Sequence, residues 1–249
     1  MQFKGLVSLY NNRFYIFHID NYFIPTELPY WNVVLSQYEI YCKQLSLAFC
    51  NLTEGDTVID IGAGLGEEVV VYANKVGNKG KVICLEPHPE VFTVLLKVVE
   101  LNDFKNTTVY NFALYHSNTT ISLTDDSESY DATFFDESNN TKDFLVKAMR
   151  FDTFMKDLSS PVIKLLKVNI EGAERFLLNN DYLPLFRRIQ HMAIACHDFR
   201  YNKEGNAFFK TKQMVMDFFI KQGFSVKTQN TGQDFVDDWV YVDNPQGKS

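Results

Sequence analysis

Asp60-Ile61-Gly62-Ala63-Gly64-Leu65-Gly66-Glu67 is the stretch whose reading decides the fold. It continues a short apolar run, Val58-Ile59-Asp60-Ile61, which reads as a buried strand, and it opens residues 67–76, which have helical character. Glycine lets the chain turn tightly and lets a ligand touch the backbone, and the free N–H groups of a helix start then face that ligand. In the dinucleotide fingerprint G-x-G-x-x-G the last glycine falls where this chain has Glu67. A pyrophosphate would meet a carboxylate at the point where positive potential is needed. S-adenosylmethionine carries no phosphate, and its sulfonium and amino groups suit Asp60 and Glu67 as neighbours. The turn therefore predicts that cofactor, with S-adenosylhomocysteine as its product, bound around Asp60, Gly62, Ala63, Gly64, Gly66 and Glu67, and it disfavours a nicotinamide dehydrogenase.

Outward from the turn, residues 81–86 read as a second strand that ends at Glu86-Pro87. An acid at that place accepts hydrogen bonds from both ribose hydroxyls of a nucleoside cofactor. Residues 90–102 read as a helix and residues 107–114 as a third strand. Asn111-Phe112-Ala113 lies near its end, where an adenine would sit; for Asn111 a strand-end turn cap is the competing role. A fourth strand over 165–170, a short helix over 173–179, a fifth strand over 191–196 and a helix over 207–222, stopped by Gly223, follow. Residues 224–227 and 239–242 close the pattern with Asn230-Thr231-Gly232 between them, so they pair antiparallel. The alternation predicts an α/β, Rossmann-like fold with a mostly parallel sheet and an antiparallel C-terminal strand. Residues 55–249 form the cofactor domain in this reading. Residues 1–54 form an aromatic-rich extension on the substrate side, strand-like at Phe14-Tyr15-Ile16-Phe17 and helical over 36–49. Residues 125–143, dense in Ser, Asp, Asn and Thr, read as a mobile surface loop, either a tolerated insertion or a lid.

Composition narrows the partners. Of 249 residues, 46% are hydrophobic and 22% charged, which supports a packed core and argues against bulk disorder. The formal charge of −7 argues against a polyanionic partner such as nucleic acid. The 22 Phe and 13 Tyr suit a core and an aromatic pocket equally. Cys42, Cys50, Cys84 and Cys196 form no C-x-x-C pair and no zinc spacing, so they read as reduced thiols. The N-terminus lacks a basic, then apolar, leader, and no apolar run nears the ~20 residues that span a bilayer. The expectation is a cytoplasmic protein without a membrane span.

The acid–glycine turn, Leu85-Glu86-Pro87, Asn111-Phe112-Ala113, Phe151-Asp152-Thr153-Phe154 and Leu166-Lys167-Val168-Asn169-Ile170-Glu171-Gly172-Ala173-Glu174 stand in an order that resembles the FkbM family of methyltransferases. The resemblance runs from about Gly55 to His197, and Glu-Gly-Ala-Glu after the fourth strand is its most specific piece. It implies a class I methyltransferase fold. It also implies methylation of hydroxyl oxygens on polyketides, sugars and other natural products, hence a small-molecule or glycan acceptor. Two positions depart from the family. Gly64 replaces its usual Asn, a harmless change in a cofactor turn. Asn169, counted among the cofactor-binding residues, replaces its usual Asp, and Asn can serve neither as a base nor as a strong metal ligand.

A hydroxyl acceptor needs its proton removed, and the candidates at the strand ends are His197, Glu171 and Glu174. With an ordinary pKa near 6.5, His197 suits the base role at neutral pH; its competing role is a strand-end histidine bonded to backbone. Glu171 and Glu174 share a helical face, and each doubles as a helix-start acid. Asp152 reads as a helix cap. Asn169, Glu171, His197 and Asp198 lack diagnostic metal spacing, so a divalent cation is not favoured. Two other functions compete. A nucleic-acid or protein methyltransferase lacks support, because Asn169-Ile170-Glu171-Gly172 is not the Asn/Asp-Pro-Pro-aromatic signature of base amino methylation. A cofactor-binding protein without catalysis is motivated by Asn169.

Overall fold

The computed structural model describes residues 3–9, 13–28, 34–126, 141–156, 158 and 162–245. They belong to two compact units, Met1–Asn111 and Phe112–Ser249.

The first unit opens with an antiparallel sheet of β1 (Phe3–Leu9), β2 (Phe14–Ile19) and β3 (Tyr22–Thr26), followed by α1 (Leu35–Gln44). Then come β4 (Thr57–Ile61), α2 (Glu67–Val76), β5 (Lys81–Leu85), α3 (Pro89–Leu101) and β6 (Thr107–Tyr110). Strands β4, β5 and β6 pair parallel. Val58, Ile59 and Ile61 of β4 and Val82, Ile83, Cys84 and Leu85 of β5 are all buried, the continuous apolar run that a parallel strand covered on both faces requires. Helix α3 starts at Pro89, whose missing N–H costs nothing in a first turn. Its cap is His88, whose Nδ1 accepts from the N–H groups of Glu90 (3.2 Å) and Val91 (3.3 Å). A nitrogen that accepts carries no proton, so this ring is fixed in the Nε2–H form. The N-terminal extension is more ordered than a strand and a helix: its three strands bury Phe17, Ile19 and Ile24. It is tied to α3 at both ends, by Asn102 exchanging hydrogen bonds with Phe23 (2.9 and 2.7 Å) and by an Arg13–Glu90 ion pair (3.1 Å).

The second unit holds a small sheet of β7 (Ala113–Leu114), β8 (Thr119–Asp126) and β9 (Thr141–Met149), ordered β7-β9-β8. After α4 (Phe151–Lys156) come β10 (Ile163–Asn169), 3₁₀ turns over Ala173–Leu177 and Asn180–Tyr182, α5 (Leu183–Phe186) and β11 (Ile189–Ala195). Helix α6 (Asp198–Glu204), a 3₁₀ turn over Ala207–Phe209, α7 (Lys212–Lys221), β12 (Ser225–Thr228), α8 (Asp234–Asp237) and β13 (Trp239–Asp243) complete it. Strands β10 and β11 are parallel, and β13 is antiparallel to both β11 and β12. The main sheet is ordered β12-β13-β11-β10-β4-β5-β6. Only the antiparallel β13, inserted between β11 and β12, separates this from the 3-2-1-4-5-6 order of nucleotide-binding Rossmann sheets.

Four expectations change. The third strand stops at Tyr110, and Ala113–Leu114 pairs instead with β9. Of the expected loop over 125–143, Asp125 and Asp126 pair with Lys142 and Thr141 as the ends of β8 and β9, and residues 127–140 lie outside the described residues. That hairpin alternates in period two: Leu123 and Val146 are buried beside Ala113 and Ala148. The helix over 207–222 is interrupted, because Asp198 Oδ1 accepts from the N–H groups of Thr211 (2.8 Å) and Lys212 (2.9 Å) and starts α7 there. The turn at 230–232 is followed by α8 before the last strand.

The acid–glycine turn has two kinds of glycine. Gly64 (φ 58°) and Gly66 (φ 101°) are both left-handed. A Cβ on Gly66 would lie 2.7 Å from Cδ1 of the fully buried Leu95, whereas nothing lies within 4 Å of one on Gly64. Gly66→Ala is expected to cost about 2–4 kcal/mol, strain plus overpacking. Gly64→Ala is expected to cost only the roughly 1–2 kcal/mol of backbone strain. Equal denaturant midpoints for the two variants would contradict this assignment.

Candidate functional site

In the first unit the site is built mostly from backbone. Leu85 at the end of β5 accepts from the N–H groups of Gly62 (2.9 Å) and Ala63 (3.1 Å), which pins the glycine turn to the neighbouring strand. Glu86 is buried, and its carboxylate is held from both sides: Gly64 N–H donates to Oε2 (3.0 Å) and His88 N–H to Oε1 (2.9 Å). The side chain of Asn111 donates to the carbonyls of Glu86 (2.9 Å) and Pro87 (3.0 Å), so its amide fixes the loop after β5. Asp60 is fully buried in β4, and Glu67 stands in the first turn of α2. Burial first, then the charge of Glu67, holds the Tyr38 phenol in its neutral form, above the usual range. The structure thus gathers Gly62, Ala63, Gly64, Gly66, Glu86, Pro87 and Asn111. Phe112 and Ala113 belong to the second unit, where Phe112 packs edge-on against Phe154 at 5.6 Å and Ala113 lies in the core of the small sheet.

In the second unit the site is built from charged side chains. Glu171, after β10, is a non-glycine residue with φ 51°, and Gly172 follows at φ 89°. His197, after β11, is buried between two carboxylates: Nε2 lies 2.9 Å from Glu171 Oε1 and Nδ1 lies 3.2 Å from Glu174 Oε1. Glu171 Oε2 meets Arg200 Nη1 at 2.8 Å. Arg200 also grips Glu204 (2.9 Å) and lies 4.0 Å over the ring of Phe209. Glu174 is fully buried and accepts from the N–H of Gly172 (3.2 Å) and the hydroxyl of Thr211 (3.3 Å). Burial disfavours a charged His197, but the charges and hydrogen bonds of Glu171 and Glu174 outweigh it and push its pKa up to about 10. Burial likewise opposes the Glu171 carboxylate, yet His197 and Arg200 hold it down at about 2. Both shifts favour a charged pair, and Nδ1 of His197 faces Glu174 as an ion pair outside hydrogen-bond geometry. Asn169, at the end of β10, has a buried side-chain Oδ1 with no hydrogen-bond partner among the described residues. Among these residues no group of three or more His, Cys, Asp or Glu is arranged to hold a metal ion.

Three contributors escaped the sequence reading. His88 caps a helix although histidine is outside the usual capping set. Thr211 sat inside a supposed helix. Arg200 did leave a signal, because it follows His197 by three residues and so returns to the same helical face.

An α/β sheet in this order, opened by an acid–glycine turn with Glu67 where a phosphate-binding glycine would stand, defines the class I methyltransferase fold. The methyltransferase FkbM domain matches residues 60–226, and the chain belongs to that family. Cofactor-bound Rv0187 from MTB shares the fold at 13% identity, covering 87% of this chain and 83% of that one with a TM-score of 0.51. Methyltransferase FkbM from Methylobacillus flagellatus KT is 15% identical and covers 84% of this chain and 50% of that one, with a TM-score of 0.49. Aeropyrum pernix fibrillarin with natively bound S-adenosyl-L-methionine is 13% identical over 97% of this chain and 98% of that one, with a TM-score of 0.49. No curated protein matches the chain by sequence. No helix among the described residues is long and apolar enough to cross a membrane.

The charge cluster has a pH signature. The His197 contribution to stability is complete below its ordinary 6.5 and is lost as pH rises toward about 10. That of Glu171 is complete above its ordinary 4.5 and is lost as pH falls toward about 2. The melting temperature of wild type relative to His197→Gln is expected to be highest between pH 4.5 and 6.5 and to fall steadily from 6.5 to 10. A gap that stays constant across the alkaline range would show that His197 is not charged in the folded protein.

Proposed function

We propose that this chain is an S-adenosylmethionine-dependent O-methyltransferase acting on a hydroxyl of a small molecule, sugar or glycan. The observation that carries the acceptor half of this reading is Glu171. It is held in a left-handed conformation that non-glycine residues rarely adopt, and its carboxylate is fixed by two cations while 19% of the side chain stays exposed. Local strain kept in place by surrounding charges is a mark of a functional position.

The residues of the first unit fit the cofactor. Glu86, oriented by two backbone amides just after β5, stands where a strand-end acid accepts from ribose hydroxyls. Gly64 leaves room that a side chain would take. Glu67 and the buried Asp60 supply negative potential toward a cationic ligand. When bound, S-adenosylmethionine supplies an electrophilic methyl group on a sulfonium. The protein's part is alignment and proton removal. Glu171 receives the proton of the acceptor hydroxyl. A carboxylate with a pKa of about 2 is sufficient, because a protonated ether is a far stronger acid than any carboxylic acid. His197 and Glu174 are positioning residues: the imidazolium holds Glu171, and Glu174 holds the imidazolium. A chain that binds the cofactor without catalysis is the second reading, favoured by Asn169 in the place of the family's Asp.

Calorimetry separates these. S-adenosylmethionine and S-adenosylhomocysteine are expected to bind in the micromolar range and NAD not at all, with Glu86→Ala weakening both sulfur ligands at least tenfold, the loss of charged hydrogen bonds worth about 1.5–3 kcal/mol. Glu171→Gln is expected to leave that affinity unchanged and to lower methyl transfer to a panel of hydroxyl compounds about 100-fold. Folded protein that ignores both sulfur ligands would sink the cofactor reading. Binding without turnover on any hydroxyl would favour the silent one.

A further inference from the structure

In the first unit, His88 is buried and engages its surroundings at two atoms. Its backbone N–H donates to Glu86 Oε1 (2.9 Å) and is one of the two amides that orient that carboxylate. Its ring Nδ1 accepts from the N–H groups of Glu90 (3.2 Å) and Val91 (3.3 Å) and so caps α3. One residue thus joins the start of α3 to the strand-end acid, and the place of the ring fixes the direction of the amide. A serine or an asparagine would cap as well. An imidazole differs from them in one respect, because the atom that accepts can also take a proton. Charged groups stand around this cap on each side of the chain: Glu86 before it, Glu90 in the first turn of α3, and Arg13, which leads into β2 and pairs with Glu90 at 3.1 Å.

We propose that His88 is a positioning residue of the cofactor site: its neutral ring keeps Glu86 in place, and protonation of that ring weakens the binding of S-adenosylmethionine. The role rests on the reading that Glu86 accepts from the cofactor's ribose hydroxyls. A proton on Nδ1 turns the acceptor into a donor, which then faces two N–H donors and the positive end of α3. Both cap bonds are lost, the ring leaves its place, and the amide of the same residue is drawn away from Glu86 Oε1. The nearby carboxylates are already engaged, Glu90 with Arg13 and Glu86 with two amides. Linkage gives the direction. Cofactor binding selects the neutral ring, so affinity is complete at high pH and declines as pH falls through the titration of the ring.

The test is calorimetry of S-adenosylhomocysteine from about pH 5.5 to about pH 7.5, above the ordinary carboxylate range. It is run on wild type, His88→Asn, His88→Ala and Glu86→Ala. His197 and Glu171, at about 10 and about 2, stay outside that window. Asparagine keeps a capping oxygen and has no proton to gain. Wild type is expected to lose about fivefold in affinity between the upper and lower pH, the usual worth of a helix cap, and His88→Asn to stay within about twofold. His88→Ala is expected to bind about fivefold more weakly at the upper pH. A flat wild-type profile overturns the proposal, and so does a His88→Asn profile as steep as that of wild type. A His88→Ala protein that melts earlier yet binds with unchanged affinity also overturns it, because a merely structural cap would behave in that way. Glu86→Ala reports separately. Weakened binding there, beside His88 variants that bind like wild type at every pH, removes the positioning role and leaves the ribose reading standing. Unchanged binding in Glu86→Ala removes the ribose reading and the positioning role with it.

Discussion

A buried imidazolium between two carboxylates is the constraint around which the second unit is arranged. Charges leave water only at a cost of several kcal/mol each, and mutual pairing offsets that cost only when the geometry is good and remaining lone pairs are filled. Glu174 meets both, although Nδ1 of His197 faces it outside hydrogen-bond geometry. Glu174, fully buried, uses its second oxygen on Thr211 and shares its first with the amide of Gly172. Placing Glu171 on the other ring nitrogen needs a left-handed residue after β10, and the left-handed Gly172 next to it lets Phe208 close down on the backbone. Arg200 completes the set from α6, and Asp198 in the same helix starts α7 through two backbone amides. The loops after β10 and β11 thus take their form from one charge balance.

The first unit meets a different demand with different means. Its turn is held by main-chain bonds to Leu85, and its one oriented carboxylate, Glu86, is held by main-chain N–H groups. Backbone donors do not depend on which side chain stands at a position, only on the path of the chain. Nucleoside recognition of this kind therefore asks for glycines and a strand-end acid and little else. Proton removal, the role proposed for the second unit, asks for particular side chains at particular distances, and three carboxylates, a histidine and an arginine stand there within one network.

That contrast explains what could be read from the sequence. The glycine turn, Glu86 and the βαβ rhythm are local patterns, visible in a few consecutive residues, and β4, α2, β5 and α3 fall where the pattern put them. Asn111 was also visible, but as one of two roles, and its amide serves the loop after β5. The protonation of His197 was not legible, because a strand-end histidine looks the same whether it faces backbone or two acids. Its partners come from positions 23 and 26 residues away in the chain. The hairpin of β8 and β9 was legible only at Ile121-Ser122-Leu123, because the rest of its polar composition resembles a loop and only the inward Leu123 and Val146 mark its buried face.

The weak basicity of Glu171 is a consequence of the same balance and fits the role proposed for it. Within the network, Glu171, Glu174 and Glu204 stand against His197 and Arg200, so the resting cluster carries one net negative charge. A proton arriving from an acceptor neutralises that excess. A strong base at this point would hold the proton; a weak one hands it on to solvent through the exposed part of Glu171. Raising the basicity of Glu171 by removing Arg200 would also free the carboxylate from its fixed orientation, so alignment and basicity pull in opposite directions. Methyl transfer depends steeply on alignment and little on the strength of the base once the product is an oxonium, and that asymmetry favours the clamped, weakly basic carboxylate seen here.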